Sequence, residues 1–225
     1  MLSGMNARKA AARAARARSI VRYLKNAYPV PKTELLYETP FQMVAAVILS
    51  AQATDKQVNK VTAPLWKKYR TPDDFARADP QTFTKEISSL SFFRNKAKAI
   101  LGAARMVQHD FGGTVPRTER ELTMLPGVGY KTAHVILGEL YDSWEGIPTD
   151  THVKRFARKF DLTDHTDLKK ISKDLEALVP KKDWKYVNNG LVLYGRYLCP
   201  ARPHECADHP LTKLWPPAAK RWPRT

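Results

Sequence analysis

The chain has 225 residues, with 38 Lys and Arg against 22 Asp and Glu and a formal net charge of +16. A positive surplus of that size points to a polyanionic partner, nucleic acid before an acidic membrane surface, with an inert basic exterior as the alternative. Hydrophobic residues make up 43%, enough to bury one large core or two small ones, yet the apolar run FQMVAAVIL at residues 41–49 is too short for a membrane span. Two cysteines exclude a disulfide framework and favour a reducing compartment.

In chain order, MNARKAAARAARARS at residues 5–19 carries no acidic residue and lacks the apolar stretch of a secretory signal. Ala and Arg both favour helix, so the segment reads as a first helix with incidental phosphate contact; an organellar transit peptide is the other reading. Thr39-Pro40, Thr71-Pro72 and Asp79-Pro80 each set a capping side chain before a proline at the first helical position. AKAILGAARMVQHDFGG has helical apolar spacing and stops on Gly112-Gly113, and Thr118 with Glu121 predicts a capping box. No segment alternates with period two between turn signals. The chain reads as all-α, built from many short helices.

LPGVGYKTAHVILGEL at residues 125–140 is the strongest local signal. Gly127 and Gly129 allow a tight turn and close approach of another backbone, and a helix follows at once, so N–H groups point outward from its first turn. Such an arrangement binds a phosphate without reading its base, although the string alone also fits a plain helix–helix turn. The net charge favours phosphate. On that reading, Val at Gly127 or Gly129 blocks the phosphate and weakens binding to every sequence alike. Lys131 falls in the first turn of this helix, where positive potential and partial burial would both promote a neutral amine nucleophile. Asp150, in PTDTHVKRF, precedes another helix at its N-cap, where a carboxylate stays ionised and can stabilise positive charge or move a proton. A surface lysine and a simple cap are the bland readings of the two.

LPGVGYKTA followed by PTDTHV resembles the endonuclease III family of helix–hairpin–helix DNA glycosylases. PKTELLYETPFQMVAAVILSAQATDKQVNKVT, LSFFRNKAKAI and GTVPRTERELTMLPGVG extend the likeness from about residue 20 to about residue 200. The resemblance implies two helical lobes with a DNA-binding cleft: a six-helix barrel at residues 34–146 carrying the hairpin, and a lobe of residues 1–33 and 147–225. It implies excision of oxidised pyrimidines and β-elimination at abasic sites through a Lys131 Schiff base, assisted by Asp150. The implied partner is double-stranded DNA with damaged bases or abasic sites, met by a monomer in the cytoplasm at the nucleoid. Gln52 matches the residue that fills the gap left by a flipped nucleotide, and Phe92 the apolar wedge, with Phe93 beside it as wedge or core. Leu125, Gly127, Val128, Gly129, Tyr130 and Thr132 match the DNA-binding hairpin. Thr54 and Asp55, in the same QATD loop as Gln52, help shape the cleft or its DNA contacts, and His152 is structural. Two other readings stay open: a non-catalytic helix–hairpin–helix DNA-binding protein, and a mismatch-specific monofunctional glycosylase. Lys131 speaks against both, and the chain leaves no room for the extra domain of an adenine-specific relative.

YLCPARPHECADHP, residues 197–210, departs from the family. Relatives hold a [4Fe–4S] cluster here on four cysteines spaced C-x6-C-x2-C-x5-C. This chain keeps Cys199 and Cys206 but has His209 and Trp215 at the other two positions. Two thiolates cannot hold that cluster. The expectation is a relict loop without iron–sulfur cofactor or metal, supported instead by packing of Trp215, Pro216, Pro217 and Trp222. A zinc site on Cys199, His204, Cys206 and His209 is the alternative, with suitable ligand types but irregular spacing.

Overall fold

The computed structural model describes residues 7–222, so the first two residues of the basic arm, 5–6, lie outside it. Among the described residues there is no strand. The helices in chain order are α1 (Ala7–Ala27), α2 (Pro40–Ser50), α3 (Asp55–Lys68), α4 (Pro72–Ala76), α5 (Pro80–Glu86), α6 (Phe93–Asp110), α7 (Glu119–Leu122) and α8 (Tyr130–Tyr141). They continue with α9 (Thr151–Lys159), α10 (Leu168–Leu178), α11 (Leu191–Tyr197) and α12 (Pro210–Leu214). The all-α class follows. Among the described residues no helix is long and apolar enough to cross a membrane. The chain divides into two units, Thr33–Ser143 and Met1–Lys32 with Trp144–Thr225.

The Thr33–Ser143 unit holds α2 to α8. Residues Phe41 to Leu49 of α2 are buried without interruption, which is why this helix is apolar all round. Around it lies an aromatic cluster in which Phe75 meets Phe41 at 5.1 Å and Phe83 at 6.0 Å between ring centroids. Side chains start most of the helices: Thr39, Thr54, Thr71, Asp79 and Thr118 each accept a backbone N–H three residues on. Each such cap contributes about 1 kcal/mol. Thr39 with Gln42 and Thr71 with Asp74 close reciprocal boxes. The box expected at Thr118 forms only in part, because the Thr118 hydroxyl donates to the Glu121 carboxylate at 2.8 Å. That carboxylate is thereby engaged by the side chain it was expected to pass on its way to the backbone. The stop of α6 matches its sequence, with Gly112 and Gly113 at φ +58° and +77°.

The second unit packs α1 with α9 to α12. Ile20, Val21 and Leu24 of α1 join Phe156, Phe160, Leu191 and Tyr194 in one core. The basic residues of α1 have partners inside this unit. Arg13 is 2% exposed and donates to the Asp161 carbonyl at 3.0 Å and to the Asp164 carboxylate at 2.7 Å. Arg16 donates to the Phe160 and Asp161 carbonyls at 2.8 and 2.7 Å, and Lys9 pairs with Asp164 at 2.9 Å. Three of the five basic residues at 5–19, Lys9, Arg13 and Arg16, therefore clamp the turn at the end of α9. Arg18 and Arg22 stay exposed.

Candidate functional site

Among the helix starts of the Thr33–Ser143 unit, two lack a side-chain cap: α6, preceded by Phe92, and α8, preceded by Gly129. Both lie in segments singled out for nucleic-acid contact. An amino end without its own acceptor keeps first-turn N–H groups and the positive end of the helix dipole for an outside anion.

The two hairpin glycines are there for different reasons. Gly127 sits at φ +81°, and a Cβ on it would lie 2.8 Å from the Ala99 Cβ and 3.5 Å from Ile48. The fold itself demands glycine at 127. Gly129 has φ −91° and nothing within 4 Å of a built Cβ. Nothing among the described residues requires its lack of a side chain. The expectation that Val at Gly127 would act through phosphate is corrected: that substitution collides with α6 first.

Leu125 and Val128 are 2% and 5% exposed, so their side chains belong to the core and only their backbone serves the hairpin surface. Tyr130 packs against His134 with tilted rings whose centroids lie 4.3 Å apart, and His134 meets the Glu119 carboxylate at 2.7 Å, tying α8 to α7. Thr132 is half-buried. Lys131 is exposed, without the partial burial expected of it, and no hydrogen bond or ion pair engages it among the described residues. In the other unit Asp150 is the N-cap of α9 and half-buried, its Oδ1 accepting from the Val153 N–H at 2.8 Å. One carboxylate oxygen holds the cap, and no hydrogen bond engages the second among the described residues. His152 packs in the same unit, directly against Gly195 where no Cβ would fit, which suits a structural role.

Gln52 and Phe92 share a feature that sequence did not reveal. Both are non-glycine residues in the left-handed region, at φ +54° and +55°, and both are exposed, Phe92 at 59%. Left-handed backbone costs an L-residue about 1–2 kcal/mol and persists where the surroundings hold it. Ser91 supplies part of that hold by donating its hydroxyl to the Gln52 carbonyl at 3.0 Å, and Gln57 donates to the Ser89 carbonyl at 3.1 Å. Lys96, 5% exposed, crosses beneath to cap α2, its ammonium 2.8 Å from the Leu49 carbonyl. Burial pushes the Lys96 ammonium below the usual lysine range. Sequence reasoning passed over Ser91 and Lys96. A signal existed for Lys96, which falls in helical register with the buried Ala97 and Ile100. Phe93 packs on the core and leaves Phe92 as the projecting ring. Thr54 and Asp55 open α3 as its N-cap and first residue.

In the Cys199 loop, burial pushes the thiol of Cys199 up, with Lys159 and Arg155 opposing that rise. Only two thiols are present in the chain, so the four-thiolate cluster does not fit. Trp215 packs half-buried under Arg16, whose guanidinium carbon stands 4.2 Å from the ring centroid. Pro216 and Pro217 are exposed and open a short 3-10 turn, so the buried tail surface comes from Leu211 and Ala218 instead of the prolines.

The sequence profile of the HhH-GPD superfamily base excision DNA repair proteins matches residues 45–181. The chain is 42% identical over 211 residues to Endonuclease III of Synechocystis sp., a match covering 94% of this chain and 96% of the relative. Among solved structures it is similar to a non-covalent Endonuclease III–DNA complex, with TM-score 0.84 and 34% identity over 92% of this chain and 97% of the other. A trapped Endonuclease III–DNA covalent intermediate, in an estranged-adenine complex, matches with TM-score 0.82 and 34% identity over 89% and 94% of the two chains.

Proposed function

The chain belongs to the endonuclease III family of the HhH-GPD superfamily, base-excision-repair DNA glycosylases and abasic-site lyases, and on that footing we propose that it excises oxidised pyrimidines and cleaves abasic sites through Lys131. The observation that carries this reading is the start of α8: no side-chain cap, a glycine at 129 that the fold does not need, and an exposed, unengaged lysine one residue into the helix.

In the proposed reaction the hairpin amides grip one phosphate, and the damaged nucleotide leaves the stack because its C1′ cannot be attacked inside the duplex. Phe92 wedges into the opposite strand, and Gln52 fills the gap with an amide that can both donate and accept. Lys131, as the neutral amine, bonds through Nζ to C1′, and the base departs with a proton. The sugar ring opens to an iminium, which acidifies the C2′ proton. Loss of that proton breaks the C3′–O bond and leaves a nick 3′ of the lesion. Asp150 stabilises positive charge on the sugar during base loss and relays protons. No iron–sulfur cluster enters these steps. The Thr33–Ser143 unit is read as the family's six-helix barrel and the α1, α9–α12 unit as its companion lobe. The protein would work as a monomer on chromosomal DNA in the cytoplasm.

Borohydride trapping on a duplex with an abasic site tests the assignment. The wild-type chain should give a covalent adduct and Lys131→Ala none, while binding of the same duplex changes only a few-fold. Undiminished trapping in Lys131→Ala would remove the lysine from the chemistry. Asp150→Asn should slow base release at least tenfold. A full rate in that variant would leave Asp150 as a helix cap alone.

A further inference from the structure

Cys199, His204 and His209 each bring a ligand atom to within 4.8 Å of the other two. The tautomer of His204 is fixed by its surroundings: Nδ1 lies 2.8 Å from the Arg202 carbonyl. A carbonyl only accepts, so Nδ1 carries the proton and Nε2 presents its lone pair. That Nε2 and the Nδ1 of His209 are both shut off from solvent, and neither has a hydrogen-bond partner among the described residues. A buried polar atom left unpaired costs about 1–3 kcal/mol. Two such nitrogens converging on a fully buried thiol make a poor packing solution and a good ligand set. A histidine oriented by a backbone carbonyl through its second nitrogen is the usual arrangement of a metal-bound imidazole.

The surroundings of the sulfur agree with this. Arg155, 2% exposed, donates to the Cys199 carbonyl at 2.7 Å and to the Pro200 carbonyl at 3.1 Å, and its Nη1 stands 4.0 Å from Sγ, where it would stabilise a thiolate. Lys159 is fully buried, but its charge has acceptors of its own: the Arg221 carbonyl at 3.0 Å, the Cys206 sulfur at 3.6 Å and the Trp222 ring at 3.7 Å from its centroid. Cys206 also points at the Ala219 carbonyl, 3.8 Å away, and stands outside the converging group.

We propose that Cys199 Sγ, His204 Nε2 and His209 Nδ1 bind one divalent ion of the zinc class. Thiolate and imidazole together select zinc over magnesium or calcium, and three protein ligands leave the fourth tetrahedral position to water. Binding displaces one proton, from the Cys199 thiol, and involves no redox change. The ion would tie the end of α11 to the start of α12, which His209 immediately precedes. This revises the expectation of a relict loop held by packing alone. It also narrows the zinc alternative to three of its four residues.

Cobalt(II) is the probe. The full chain, stripped with a strong chelator, should take up one equivalent of Co²⁺, with thiolate-to-cobalt charge transfer in the near ultraviolet and tetrahedral ligand-field bands in the visible. Zinc should then displace the cobalt one for one. Cys199→Ser and His204→Asn should each abolish the charge-transfer band or the tetrahedral bands, and Cys206→Ser should keep both. His204 is only half-buried, so His204→Asn carries the test if Cys199→Ser folds poorly. A wild-type chain without these bands overturns the proposal, as do bands that survive His204→Asn or vanish with Cys206→Ser. The stripped chain should still form the borohydride adduct, so failure of the metal site leaves the lyase assignment untouched.

Discussion

The hairpin at residues 125–132 and the loop at residues 199–209 solve opposite problems. The hairpin keeps backbone donors at the surface: α8 starts without a side-chain cap, and Gly129 faces open space. The loop instead takes polar side chains out of water, with Cys199 fully buried and two histidine nitrogens unpaired. A donor left exposed costs little, since water serves it until a phosphate arrives. A buried acceptor has no such substitute and asks for a permanent partner. The first arrangement suits a ligand that comes and goes, and the second a resident one.

Removing the tail that closes over the loop should have the largest effect on this contrast. Truncation after Pro210 deletes Leu211 and Ala218, both fully buried, along with the Trp215 ring under Arg16. Losing a buried leucine alone costs about 2–5 kcal/mol. The melting temperature should fall by more than about 10 °C in a thermal scan, while the hairpin sequence is unchanged. An unchanged melt would show that the loop stands without the tail.

The two hairpin glycines sharpen the other side. Gly127→Val forces a β-branched residue into φ +81° and against Ala99, so stability should drop by about 2–4 kcal/mol in denaturant titration. Gly129→Val meets no atom of the chain and should stay within about 0.5 kcal/mol of wild type. Its effect should show in binding, as a several-fold loss shared by every duplex sequence. A sequence-dependent loss, or a stability loss matching that of Gly127→Val, would erase the distinction between an internal and an external need for glycine.

The smallest effect belongs to the clamp on α1. Hydrogen bonds from Arg13 and then Lys9 hold the Asp164 carboxyl down at about 2, below its ordinary 3.8. A folded-state value below the unfolded one contributes stability above about pH 4, and that contribution is lost as pH falls towards 2. The side chain is 60% exposed, so solvent screening keeps the contribution small. Asp164→Asn should therefore melt slightly below wild type at neutral pH, and the gap should close between about pH 4 and pH 2. A gap that persisted at pH 2 would assign the loss to shape and not to charge.

Much of this protein was legible in its sequence because the relevant physics is local. Thr39, Thr71 and Asp79 cap helices through backbone groups three residues away, and Gly112-Gly113 stops α6 within its own turn. The order of LPGVGYKTA and PTDTHV places Lys131 and Asp150 at helix starts by the same short-range rules. Other features depend on residues far apart in the chain. The basic first helix was open to phosphate contact along its length, but the turn after α9 folds against its Arg13. The left-handed backbone of Gln52 and Phe92 is held through Ser91 and Lys96, whose partners lie some 39 and 47 positions away. Cys199, His204, Cys206 and His209 offered zinc ligand types at irregular spacing, and only the folded loop turns the ligand atoms of Cys199, His204 and His209 to one point. Caps and turns are fixed by neighbours the chain cannot avoid; burial and convergence are set by which distant segments pack, and that only the tertiary structure decides.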